Sequence, residues 1–143
     1  AGTFDASVPP AIKGASFTIG GYAASISKLA LDRGNSLVMP TDINTSDGFG
    51  QIRIADWDIT GSFDPLATLL ATKDFVSEWE AGTAQALTTG VIGSTAGNRY
   101  AISCPAVSAR SVSYADRESE RAYEVAFGAA ESSGDDGLSI AFT

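Results

Sequence analysis

Several short constellations in this chain have the residue types that chemistry requires, so their spacing decides what they could do. Ser25 and Lys28 stand three apart, the spacing at which a lysine could take the proton of an acyl-accepting serine. That chemistry needs both on one turn of a helix, whereas the surrounding alternation is a strand's and points them to opposite faces. Asp56 and Asp58 would share one strand face, as paired carboxylates dividing acid and base roles do. Nothing else in the sequence builds a sugar cleft around them, and two acids on the wet side of a half-buried strand account for the pair. Asp42, Asn44 and Ser46, with Asp47-Gly48, open like a calcium loop. The glycine comes one place late, and Arg53 stands where the closing bidentate glutamate belongs, so an Asx-turn loop is expected instead. The glycine turns over residues 90–93 and 93–97 lack the Gly-Lys-Ser/Thr ending and the helix start of a phosphate loop.

The chain has no histidine, which removes the commonest general base near neutral pH and the commonest zinc ligand together. Its single cysteine, Cys104, has no internal disulfide partner and reads as a small buried hydrophobe. The sequence therefore predicts no catalytic, cofactor-binding or metal site, and a protein that is not an enzyme. Its 143 residues fit one domain, and an apolar fraction of 44% with 18% charged residues is enough for a folded core. Seventeen acids against nine bases give a net charge of -8, which opposes gripping DNA through its phosphates but suits a surface past which a duplex slides. No apolar run approaches the roughly 20 residues that span a bilayer, so membrane insertion is not expected.

These residues must be carried by β structure. Residues 1–13, with Pro9-Pro10, read as an N-terminal arm or linker, and residues 14–143 as one β domain. Phe17 and Ile19 alternate with polar neighbours before Gly20-Gly21, and Ile26, Leu29 and Leu31 follow. Ile52 and Ile54 lie on one parity, whereas Trp57, Ile59 and Phe63 lie on the other, so a bulge is expected near Ala55-Asp56. Further period-two runs cover residues 87–92, Tyr100-Ile102-Cys104, residues 107–114, Tyr123-Val125-Phe127 and Leu138-Ile140-Phe142. One helix is expected from Asp64 as cap and Pro65 at the first position to a stop at Gly82, with Leu66, Leu69, Leu70, Val76 and Trp79 as its apolar stripe. Loss of that cap in Asp64→Ala should cost about 1 kcal/mol. Both tryptophans fall at expected core positions.

The closing text, Ser113-Tyr114-Ala115-Asp116-Arg117, Tyr123-Glu124-Val125-Ala126-Phe127, Ser133-Gly134-Asp135-Asp136 and Leu138-Ser139-Ile140-Ala141-Phe142, resembles the C-terminal end of phage major tail, or tail tube, proteins. Gly61-Ser62-Phe63-Asp64-Pro65 leading to Ala71-Thr72-Lys73-Asp74-Phe75, and Gly97-Asn98-Arg99-Tyr100, fit the same family in the same order. The resemblance implies an all-β fold with one flanking helix, a tail-tube-like β-sandwich or barrel shared with type VI secretion tube proteins. It implies a structural subunit that assembles with itself into hexameric or pseudo-hexameric rings, whose sheets merge round a channel. The rings stack into a tube through which DNA is ejected without specific binding. It further implies a place in the virion tail, assembly in the bacterial host cytoplasm, and contact with tape measure and terminator proteins. The Pro-containing arm and the missing initiator methionine suit the C-terminal domain of a longer chain.

In the resembling family, the polar segment over residues 32–50 corresponds to a loop reaching from one ring to the next. Leu37, Val38, Met39, Pro40, Ile43 and Phe49 are apolar residues stranded there among turn formers, and they are the expected inter-ring contact. A loop folded back on its own domain is the competing reading of the same residues. For the whole chain the alternative is a carbohydrate- or receptor-binding β-sandwich module of a virion or adhesin, which would need an exposed aromatic platform.

Overall fold

The computed structural model describes residues 9–143; residues 1–8, most of the expected N-terminal arm, lie outside the described residues. The chain forms β1 (Thr18–Ile19), β2 (Leu29–Asp32), β3 (Ser36–Val38), β4 (Arg53–Asp56), β5 (Ile59–Phe63), α1 (Phe75–Glu80), β6 (Gln85–Ile92), β7 (Tyr100–Arg117), β8 (Glu120–Ala130) and β9 (Ser139–Phe142). Seven strands make one antiparallel sheet in the order β1-β6-β7-β8-β5-β2, with β9 also on β7, while β3 and β4 pair apart as a two-stranded ribbon. The fold is thus all-β with one short helix, as the sequence predicts.

The alternation of the sequence decides which face closes. Phe63, Leu87, Cys104, Val107, Val125 and Phe127 all point inward and are almost fully buried. Phe63 lies at the centre of an aromatic cluster, its ring 5.5 Å from Phe17, 6.0 Å from Phe75 and 5.8 Å from Phe127. Gly61 serves this packing, because a Cβ there would stand 2.5 Å from the Phe127 ring. Beta7 is one strand where the sequence suggests two. Pro105 sits inside it without breaking it, because the β6 register shifts opposite, between Gln85 and Leu87, where no ladder donor is required.

The helix corrects the sequence reading. Asp64 and Pro65 do not start it: the helix begins at Phe75, and Asp74 is its cap, accepting from the Ser77 amide at 3.0 Å. Local cap chemistry at Asp64 is overridden by distant partners, described below. Pro65 is instead drawn along β8, its carbonyl accepting from the Tyr123 amide at 2.9 Å, and Leu66 bridges Ala122. Leu69 and Leu70 stay exposed in the connection, rather than forming a stripe. The stop at Gly82 holds, with φ of 63° and the Gly82 and Thr83 amides bonded to the carbonyls of Trp79 and Glu78.

The parity slip after Ile54 is a bulge, as the sequence predicts: the register steps from Leu37–Ile54 to Ser36–Asp56, leaving Ala55 as the extra residue. Just beyond it, between Asp56 and Ile59, the chain leaves the β3-β4 ribbon for the main sheet. The expected turn-rich segment is therefore an ordered arm. Its base is the β3-β4 pairing, a Thr41–Phe49 bridge continues it, and Asp42 shapes its tip by accepting from the Asn44 amide at 2.9 Å.

Candidate assembly surface

The C-terminal part of β7 forms, with β8, β5 and β2, a four-stranded antiparallel sheet that is open on both sides. Val107 pairs with Gln85 of β6 on one edge and Ala129 of β8 on the other, so β6 and β8 occupy opposite edges. Beyond Val107 the β6 edge of β7 has no strand among the described residues. There the helix stands beside it, and Trp79 Nε1 donates to the Arg110 carbonyl at 3.0 Å. Residues 111–117 then present an unpaired edge. Beta2 pairs only with β5 among the described residues and leaves its outer edge equally open. The two open strands run in opposite directions, because an even number of antiparallel strands separates like from unlike.

The face of this sheet away from the core is made of small residues in register. One row runs Ala30, Ser62, Ala126, Ser111, and the next Asp32, Thr60, Gly128, Ser108. Its larger charges are paired: Lys28 Nζ lies 3.0 Å from Glu124, and Arg110 Nη2 2.6 Å from Asp58. The hydrogen bond and charge of Arg110 hold the Asp58 carboxyl below its usual range. Gly128 makes this possible, since a Cβ there would meet the Arg110 guanidinium at 2.5 Å.

Asp64 pins one end of the sheet. Its carboxylate accepts from the amides of Ser27 and Lys28, each at 2.8 Å, and from the Ser27 hydroxyl. Arg117 Nη1 reaches it at 3.5 Å and also donates to the Asp64 carbonyl at 3.1 Å. Burial opposes the charged form, but these hydrogen bonds, with Arg117, outweigh it and keep the carboxyl below the usual range. One side chain thereby ties the entry to β2, the end of β5 and the β7–β8 hairpin. The turn of that hairpin uses Glu118 and Ser119 at φ of 53° and 69°, a left-handed pair without glycine.

The sequence-predicted residues fall as follows. Of the expected ring-to-ring contact, Leu37, Val38, Met39, Ile43 and Phe49 are exposed on the arm, Ile43 at 97%, and Pro40 is partly covered there. Ile52 and Ile54, which the sequence places on one strand face, join them as exposed apolar residues. Ser25 and Lys28 go to different partners, Arg117 and Glu124, and Asp56 caps the Trp57 amide while Asp58 holds Arg110. Neither pair is assembled for catalysis. The tryptophans are not core: Trp57 is 36% and Trp79 38% exposed. Trp57 lies beneath the Arg33 guanidinium, and Trp79 is held at the open β7 edge by its indole donor. The open edges were not named from the sequence, because an edge is a fact of strand order, which no local pattern encodes.

No protein-family model matches the chain, and no curated protein matches it. Among solved structures, it is similar to a chain of the tail of an empty GTA particle with C6 symmetry. The TM-score is 0.54 at 14% identity, over 92% of this chain and 98% of that one. The likeness is one of fold across nearly the whole of both chains.

Proposed function

We propose that this chain is a structural subunit of a phage tail tube, not an enzyme. Copies join edge to edge into six-membered rings, rings stack, and DNA passes through the channel on ejection. The observation that carries the reading is the four-stranded sheet open at both edges, with oppositely directed edge strands. A second copy can therefore lay β2 beside residues 111–117 in the antiparallel sense, and repetition closes a barrel that leaves no edge unpaired. The C6 symmetry of the similar tail structure supports six as the number. The small-residue face then lines the channel. With Lys28 and Arg110 both neutralised by acids, it offers a duplex no free row of cations. The exposed arm, rooted at one end of this sheet, serves as the ring-to-ring contact.

In the virion this protein would meet the tape measure and terminator proteins of the tail, and its architecture would be that of type VI secretion tubes. Electron microscopy of the concentrated protein tests the reading, and rings or tubes are the expected result. A strict monomer at every concentration in analytical ultracentrifugation, together with glycan binding lost in Trp57→Ala, would move the protein to the receptor-binding class.

A further inference from the structure

Resting on the tube reading, we infer that the arm of one copy is received by a specific apolar groove on a copy in the next ring. The groove, about 680 Å³, lies where the curled sheet fails to close, between β2 and the strands β6 and β7. Ile12, Phe17, Ile26, Leu29, Leu31 and Ile102 give it its apolar lining. Three lines on the molecule itself point to the arm of a second copy as its occupant.

The first is position. The arm leaves the sheet where β2 ends at Asp32 and β5 begins at Ile59, whereas the groove runs along β2 from Leu31 and on past its far end to Lys28, Ser27 and Ser25. A projection at one end and a recess toward the other make a head-to-tail contact, which propagates along an axis rather than closing on itself. The second is reach. From Asp32 to Ile43 the arm extends at most about 40 Å, comparable to the roughly 33 Å that β7 rises from Val107 to Arg117, so it can overlap a whole neighbouring ring. The third is chemistry: Leu37, Met39, Ile43 and Phe49 are all at least 46% exposed, more apolar surface than a two-stranded ribbon can bury by itself.

The test uses two complementary variants. In one, residues 37–49 are replaced by a short Gly-Ser connection, which keeps the groove and removes the arm. The other is Ile12→Glu, at an exposed position on the groove's lining, which spoils the groove and keeps the arm. Each alone should give rings that do not stack, with association weakened at least tenfold. When arm-less rings, which keep the groove, are mixed with groove-spoiled rings, which keep the arm, one junction can form between the two kinds of ring and none beyond it, so the expected product is double rings and no longer stacks. Double rings in the mixture and single rings in each variant support the arm–groove contact; normal stacking by the groove-spoiled variant, or no double rings in the mixture, overturns it. If wild-type protein forms no rings at all, the tube reading fails, and head-to-tail association of the two variants by ultracentrifugation still decides the contact separately.

Discussion

The curled sheet and the arm draw on the same apolar residue types and treat them oppositely. In the sheet, Phe63 and Phe127 are each 1% exposed, and their rings touch one another. In the arm, Phe49 and Leu37 stand open beside Ile52 and Ile54. The difference lies in how many layers each can call on. The sheet curls over its own inner face and adds a helix, whereas the ribbon has a single pair of strands and nothing to close on. Apolar content therefore reports folding in one region and, on the reading proposed here, assembly in the other.

The sharpest way to break that contrast is to cut equivalent side chains in both. Phe63→Ala removes the centre of the aromatic cluster and should cost about 4 kcal/mol, while Phe49→Ala should change monomer stability by no more than about 0.5 kcal/mol. Urea unfolding of the two variants compares them directly, and similar losses would show that the arm is part of the monomer's core. Next in size is Asp64→Ala. Because it strands two backbone amides and Arg117, the expected loss is about 3 kcal/mol, against the 1 kcal/mol of a simple cap. Thermal melting separates the two values.

Acid should act through the same residue. A carboxyl whose pKa is lower in the folded state than in the unfolded chain adds stability above the unfolded value, near 4, and that stability drains away as the pH falls through the folded one. Melting temperature should be flat from neutrality to about pH 5 and fall below about pH 4. In Asp64→Asn the fall should be shallower, and an unchanged profile would assign it to other carboxyls. The smallest effect expected is that of Asp74→Ala, about 1 kcal/mol from loss of the true helix cap, read by the same unfolding curves.

The sheet was legible in the sequence wherever one strand face is buried: Tyr123, Val125 and Phe127 alternate because they share one core. The helix was misplaced because Asp64-Pro65 has good local signals for a start, but its acceptors are taken by Ser27, Lys28 and Arg117, which lie 37, 36 and 53 residues away. Asp74-Phe75 has equally good signals, and no sequence rule ranks the two. The arm's apolar residues were recognised as anomalous, yet their ordering was not, since the ribbon depends on Leu37 finding Ile54 across the whole tip. The groove was invisible, being formed by residues from four separate stretches of chain that only the curl of the sheet brings together.

Cys104 lies on β7 among the core residues, wholly inaccessible, and burial pushes its thiol pKa up. It is the only sulfhydryl in the chain, so a thiol reagent has one target and no surface route to it. Modification can proceed only through molecules that have opened the central strand, and the rate of labelling becomes a clock for that opening. Run on free subunits and again on assembled material, the same clock would measure how far neighbours slow the unfolding of each member, with no label to introduce.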